Sequence, residues 1–297
     1  MTTKDTLLSL DLGLKDCLYR TSRITKDTQR IIYVTPKNLD IISKESRTYG
    51  PDVIRTLSSL ENWHDQWQTL TVYKDEKGNG IPHSEPDLFE PHSLREYMHR
   101  HMHMHDMNLL GDYELLNIFN LEILQTVKTR VFRVRRSKTE RRCFLKIARF
   151  GFELGWFARE VRAYHTLTQA QAQAHTQGKA AVAPRLLGYV FEETPQRVIG
   201  ILFEEVIRSR PGIADLKRCE DALRRLHGLG IVHGDVNRDN MFVTEGGVRF
   251  IDFEESCVES AESESGCCWE ERKREEMRSL AGTLADESGR GRPLSLE

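Results

Sequence analysis

The sequence lacks any apolar run near the 18 or so residues that a membrane span requires; the longest clear one is Val198 to Phe203. No spanning helix is expected. It also lacks a CxxC pair: Cys17, Cys143, Cys219, Cys257, Cys267 and Cys268 are scattered, so free or buried thiols are expected rather than a zinc site. Charge of one sign does not dominate, since 43 Lys plus Arg stand against 45 Asp plus Glu. A net charge of -2 gives no global field toward nucleic acid or an anionic membrane. The opening stretch MTTKDTLLSLDLGLKDC has no basic segment followed by an apolar core and a small-residue cleavage site. A secretory signal is therefore not expected, and an intracellular, reducing compartment is. Apolar residues are scarce as well, at 39% with a mean hydropathy of -0.52. Soluble chains usually hold about 45–50%, so part of this one is expected not to pack. Its 297 residues allow one large domain or two smaller ones.

What is present changes along the chain. Residues 1–117 read as a polar, weakly periodic and loosely built extension, with a small β region as one option, holding two strand-like pieces, Arg30 to Val34 and Leu70 to Tyr73, each followed by turn-forming residues. Leu94 to Asp106 (LREYMHRHMHMHD) places His99, His101, His103 and His105 two apart. On a strand they would share a face and could chelate a metal; the helix-forming Leu94, Arg95, Glu96 and Met98 favour an exposed His-rich helix instead. From Leu121 the texture becomes strand-like, with runs Leu121 to Val127, Thr129 to Val134 and Cys143 to Ile147. A helix over Phe157 to Leu167, two strands over Arg185 to Phe191 and Arg197 to Val206, and a helix over Asp215 to Leu229 follow, then short apolar runs at Ile231-Val232, Met241 to Thr244 and Val248 to Ile251. A last, partly periodic helix is expected over Trp269 to Leu284.

Charge is segregated within this region. Lys128 to Arg149 holds ten Lys or Arg against the single acid Glu140, whereas Glu254 to Ser265 holds five Glu and no base. The basic run reads either as a solvated strand face or as a cover over a polyanionic ligand.

The chemistry concentrates in Leu226 to Glu254, LHGLGIVHGDVNRDNMFVTEGGVRFIDFE. Asp235 and Asn240 lie five apart on a loop, and Asp252 closes the next strand, seventeen residues beyond Asp235. A hairpin over Asn240 to Asp252 can bring those two oxygen-bearing side chains together to hold a hard cation such as Mg²⁺. Asp235 beside them is free to accept a proton from a hydroxyl.

This segment resembles the catalytic and metal-binding loops of the protein-kinase-like superfamily, His-x-Asp-x-x-x-x-Asn followed by a strand and Asp-Phe-Gly. Here it reads His233-Gly234-Asp235-Val236-Asn237-Arg238-Asp239-Asn240 and then Asp252-Phe253-Glu254. The resemblance implies an α+β, two-lobed protein-kinase-like fold, with an antiparallel-sheet N-lobe and a shortened, mainly helical C-lobe. It implies an atypical, compact member spanning residues 118–285 (N-lobe 118–206, C-lobe 207–285), with a disordered tail over 286–297. Lys146 in CFLKIA takes the place of the phosphate-pairing lysine, and Glu160, fourteen residues on, that of the glutamate orienting it. Phe203 ends the strand before the interlobe hinge, and Glu204 to Val206 would offer backbone groups to an adenine ring. The resemblance makes Asp235 the base, with Asn237 and Arg238 near the transferred phosphate, Asn240 and Asp252 the Mg²⁺ ligands, and ATP the phosphate donor. The acceptor would be a hydroxyl of a protein Ser/Thr or of a small molecule. The alternative is an inactive pseudokinase acting as a scaffold, because Asn117 to Arg142 contains no glycine and Glu254 replaces the glycine of Asp-Phe-Gly. Gly234 in place of the usual Arg argues against control by activation-loop phosphorylation.

Overall fold

The computed structural model describes residues 3–74, 82–101, 111, 113–137, 139–175, 181–206, 209–259 and 266–286. His103, His105, Cys267 and the tail expected over 286–297, apart from Asp286, lie outside the described residues or side chains.

The N-terminal region is packed, not loose. Strands β1 (Lys4–Leu12), β2 (Cys17–Ile24), β3 (Gln29–Pro36), β4 (Thr69–Tyr73) and β5 (His83–Pro86) form one sheet in that order. Pairing is antiparallel except between β3 and β4, which are parallel and joined through helix α1 (Gly50–Leu57). Tyr19, Ile32, Val34, Val53, Leu57, Trp63, Trp67 and Leu70 make a core between sheet and helix. The low apolar fraction hides this sheet because β2 buries Arg20, Thr21, Ser22 and Arg23. Each arginine has a carboxylate to meet: Asp5 lies 2.9 Å from Arg23, whose guanidinium stacks 4.8 Å over both the Trp63 and Trp67 rings.

Helix α2 (Leu94–His101) carries the first part of the His-rich run. It is anchored by Leu94 and Met98, which enter the main core, while His99 and His101 are exposed.

A second sheet runs in the order β6-β10-β11-β9-β8-β7, built from β6 (Glu114–Asn117), β7 (Leu121–Lys128), β8 (Val131–Arg136), β9 (Arg142–Ile147), β10 (Leu186–Phe191) and β11 (Val198–Glu204). It is antiparallel apart from β6, which adds a parallel edge to β10 and so brings residues just upstream of 118 into this unit. Helix α3 (Leu154–His175) packs beneath it. Below lie α4 (Leu216–Gly228), the pairs β12 (Ile231–Val232) with β15 (Cys257–Val258) and β13 (Met241–Thr244) with β14 (Gly247–Phe250), and the closing helix α5 (Gly266–Ala285). The expected two-lobed α+β arrangement is present, with a sheet-rich upper lobe and a small helical lower one.

The N-terminal sheet sits on the β10–β11 turn. Buried Glu192 accepts from Arg20, from Tyr33 Oη at 2.9 Å and from Arg197 at 2.9 Å. Its neighbour Glu193 accepts the Ile31 amide at 2.8 Å and pairs with Arg30 at 3.2 Å. Ile31, Tyr33 and Phe150 pack alongside.

Candidate functional site

Strand periodicity aims Lys146. In β9 the residues Cys143, Leu145 and Ile147 enter the core on the outer face of the sheet, so Phe144 and Lys146 face the cleft between the lobes. An ammonium buried there requires counter-charges, and three carboxylates supply them. Lys146 Nζ lies 2.6 Å from Glu160, 2.6 Å from Asp252 and 3.2 Å from Glu254. Glu160 comes from the buried face of α3 and also accepts the Phe253 amide at 3.3 Å. Asp252 is held in the left-handed region, φ 66°, which costs an ordinary residue about 1–2 kcal/mol. Phe253 pins it there: its ring is buried against Tyr164 and His233, at 5.3 and 4.9 Å, and Tyr164 in turn packs on Phe203 at 4.4 Å.

The loop after β12 assembles a second group. His233 is fully buried, its Nε2 donating to the Ile251 carbonyl at 3.0 Å and its Nδ1 accepting the Asp235 amide at 3.3 Å. Gly234 has φ +83°, and a Cβ there would lie 2.0 Å from the Glu255 carbonyl oxygen, so neither the conformation nor the space admits a side chain. Asn237 caps the following turn, its Oδ1 accepting the amides of Asp239 and Asn240, while its Nδ2 donates to Asp235 Oδ2 at 3.1 Å. Asn240 Nδ2 donates to the same oxygen at 3.0 Å. Arg238 is turned to main-chain carbonyls, those of Pro211 and Asp286.

Sequence reasoning missed Glu276. From the buried side of α5 its carboxylate accepts the Gly234 amide at 2.6 Å and meets His227 Nε2 at 2.7 Å, tying the loop to two helices. Nothing near it in sequence signals this; the contact spans 42 residues.

Electrostatics follow from burial set against partners. For Asp252, burial raises the carboxyl, but Lys146, Lys128 and His233 outweigh it and hold the group down at about 2. Burial would lower the Lys146 ammonium, but Glu160, Asp252 and Glu254 overcome it and push it up. Glu160 goes up, because burial and the neighbouring Asp252 and Glu254 charges exceed the pull of Lys146. His233 goes down, chiefly through burial. Burial raises Glu276, yet the hydrogen bonds from His227 and the Gly234 amide bring it below the ordinary carboxylate value.

The residues at this end of the cleft fit a hard cation. Asn240 is nearly fully buried and its amide nitrogen is fixed by two acceptors of Asp235, which leaves Oδ1 buried with no partner. The Ile251 amide donates to the Asn240 carbonyl at 3.0 Å, which ties this residue to the strand end that carries Asp252. Glu160, Asp252 and Glu254 also offer carboxylate oxygens within 4.8 Å of one another, the one such group of three among the described residues. It does not involve the exposed histidines of α2.

Two cavities flank the site. The first, about 260 Å³, is walled by apolar residues such as Val131, Phe144 and Phe203, includes Glu204 and Val206 at the hinge, and ends on Lys146 and Asp252. Of the hinge pair, the Glu204 amide is already bonded to the Arg185 carbonyl, and the Glu204 carboxylate pairs with Arg249 at 2.7 Å. The second, about 300 Å³, is more polar and contains Asp235, Asn237 and Arg238. Arg210, paired with Asp239 at 2.5 Å, borders both. The structure thus gathers Lys146, Glu160, Phe203, Glu204, Val206 and Asp252 around one cavity and Asp235, Asn237 and Arg238 around the other. Asn240 is buried at the loop and hydrogen-bonded to Asp235.

Comparison with known proteins finds two partial matches. The profile of the phosphotransferase enzyme family (APH) matches residues 202–294, from the end of β11 through the loops to the far side of α5. The KEOPS complex subunit Bud32 of Pyrococcus abyssi is 37% identical over 75 residues, which cover 22% of this chain and 34% of that protein. Over these segments the chain is similar to kinase-like phosphotransferases. It spans about a third of the length of the curated relative it matches. Strands β7 to β11, with β6 at the edge, form the upper-lobe sheet above the matched segment. No helix among the described residues is long and apolar enough to cross a membrane.

Proposed function

We propose that this chain is an ATP-dependent phosphotransferase that moves the γ-phosphate to a hydroxyl group. The observation that carries the reading is the convergence of Lys146, Glu160 and Asp252 within 2.6 Å contacts at the end of one cavity, next to a loop where Asn237 and Asn240 both hydrogen-bond Asp235. Adenine occupies the apolar first cavity against Phe203, with Glu204 and Val206 beside its polar edge. Lys146, kept cationic by its carboxylate neighbours, pairs with phosphate, and Glu160 holds it in place. Asn240 Oδ1 and Asp252 hold Mg²⁺, which supplies charge neutralisation at the phosphates when bound. The acceptor enters the second cavity. There Asp235 takes the hydroxyl proton, its Oδ2 fixed by two amide donors and its Oδ1 left for the acceptor. Asn237 and Arg238 shape that cavity rather than enter the first one, so they are assigned to orienting the base and to the wall of the acceptor site. The setting is intracellular, where ATP and Mg²⁺ are at hand. Protein Ser/Thr and small-molecule hydroxyls both remain acceptors consistent with the polar second cavity.

The scaffold reading has one observation in its favour: Lys146 already has three carboxylate partners in the resting molecule. Turnover decides between them. Asp235→Asn should lower phosphate transfer, or ATP hydrolysis without acceptor, by about 10²–10⁴-fold while ATP still raises the melting temperature. Equal turnover in that variant removes the assigned base. Absence of turnover in the wild type across hydroxyl acceptors, with ATP bound, would favour the scaffold.

A further inference from the structure

Upper-lobe strands that cover nucleotide phosphate usually do so with glycine backbone, and residues 117–142 contain none. The β7–β8 turn carries cations instead. We propose that Lys128 and Arg130 are the phosphate grip of this protein, replacing backbone amides with side-chain charge; the inference rests on the nucleotide reading of the first cavity.

Four members of the basic run are spent on other carboxylates. Arg133 pairs with Glu205, Arg135 with Glu122, Arg136 with Glu114 and Arg149 with Glu153. Lys128 and Arg130 differ. Lys128 lines the first cavity with its ammonium 3.6 Å from Asp252. Arg130 sits 2.5 Å from Glu254 and 3.8 Å from Glu153, and its Nη1 is buried without a hydrogen-bond partner. The register explains why the turn reaches in. Lys128 faces Val131 across the hairpin, and Val131 is paired with Lys146, so the turn hangs over the lysine.

Three cations therefore converge on the carboxylates Asp252 and Glu254. In the resting molecule these acids act as the counter-ions. An incoming triphosphate brings several negative charges to the same cations and exchanges with the carboxylates, which frees Asp252 to serve the cation site. An unsatisfied guanidinium N–H is suited to a phosphate oxygen, since arginine donates in a planar fork that matches phosphate. Glu254, standing where the superfamily pattern has glycine, gains a purpose: it keeps Arg130 inside the cleft while no phosphate is present. A grip made of side-chain charge is more exposed to salt than one made of amides, and it discriminates by phosphate number.

Full-length wild type, Lys128→Gln, Arg130→Gln and the double variant should be titrated with ATP, ADP and adenosine in Mg²⁺ buffer at low and high salt, by calorimetry and by melting temperature. Each single substitution should weaken ATP about tenfold and the double variant more, with ADP affected less and adenosine unchanged; Arg130→Lys should recover part of the loss. Unliganded melting temperatures close to wild type establish folding, and Lys128, partly exposed on the turn, carries the test if Arg130 variants fold poorly. Wild-type ATP binding that is matched by all variants overturns the phosphate grip alone. A wild type that binds neither ATP nor adenosine overturns the nucleotide reading and the grip with it.

Discussion

Two buried ionic clusters in this molecule differ in what their charges face. Around Glu192, one carboxylate meets two arginines and a tyrosine hydroxyl and both of its oxygens are engaged; Arg197 Nε and Nη1 have no hydrogen-bond partner, but they lie between the two sheets, with the guanidinium 4.6 Å over the Tyr33 ring. Around Lys146, one ammonium is shared among three carboxylates, Asn240 Oδ1 and Arg130 Nη1 are left without partners, and Asp252 sits in a backbone region that costs energy. The first cluster spends its charge on joining two sheets. The second is closed on itself only provisionally, and unsatisfied groups at a cavity are what a site awaiting ligands leaves behind.

That contrast breaks most sharply under paired substitutions. Glu192→Ala leaves Arg20 and Arg197 buried without a counter-ion and should cost about 3–5 kcal/mol of stability by chemical denaturation. Nucleotide affinity of the fraction still folded should not change. Asp252→Ala leaves Lys146 with Glu160 and Glu254 and should cost far less stability. It should abolish the ATP-dependent rise in melting temperature, a loss of about 2.7 kcal/mol of linkage at a hundredfold excess over Kd. Equal destabilisation by the two would show that both clusters serve stability alone.

A smaller effect sharpens the site side of the comparison. Gly234→Ala places a Cβ against the Glu255 carbonyl at φ +83°, and should cost about 1–3 kcal/mol while lowering turnover by displacing Asp235. A variant with wild-type stability and turnover would mean that the loop has room the structure does not show.

The second cluster was largely legible in the sequence and the first was not, for physical reasons. Phosphoryl transfer confines residue types to fixed spacings, so His233, Asp235, Asn240 and Asp252 stand out within one short segment, and apolar strand texture marks Lys146. The strands and helices from Leu121 onward are legible because their faces are apolar at periods of 2 and 3.6. Of the N-terminal sheet, β3 and β4 were legible as Arg30 to Val34 and Leu70 to Tyr73, but β2 was not, since it buries Arg20 and Arg23 through partners at Glu192 and Asp5 that no local pattern reveals. Glu276 escapes for the same reason: a single carboxylate in a partly periodic helix becomes meaningful only when α5 meets Gly234 and His227. Asn237 and Arg238 were legible as members of the loop but not in their contacts, which are a turn cap and carbonyls of Pro211 and Asp286.

The smallest effect probes the seam between the clusters. His92 bonds to the Ala148 carbonyl at 2.9 Å through Nε2 and meets the Tyr33 ring edge-on at 5.4 Å, close to Glu192 and Arg197. Burial lowers its imidazole to about 4 from an ordinary 6.5, and Arg197 and Arg20 add to the fall while the Ala148 carbonyl and Glu192 oppose it. In the unfolded chain the imidazole takes up its proton as pH drops through 6.5, whereas the folded one resists until about 4. The unfolded state therefore binds the extra proton in that window, and stability, complete above pH 6.5, falls as the pH is lowered toward 4. His233, also lowered by burial, acts with the same sign, whereas Glu160, raised by burial to about 7, binds its proton first in the folded state and acts with the opposite sign. Glu192 and Asp252 are held low instead, so their contributions are lost only as the pH falls below the ordinary carboxylate range. Denaturation at pH 6.5 and pH 5 should differ by on the order of 1 kcal/mol through His92. His92→Gln should flatten that slope without changing ATP affinity at pH 7.5. An unaltered slope would move the titration to His233, and with it from the sheet-to-sheet seam to the loop after β12.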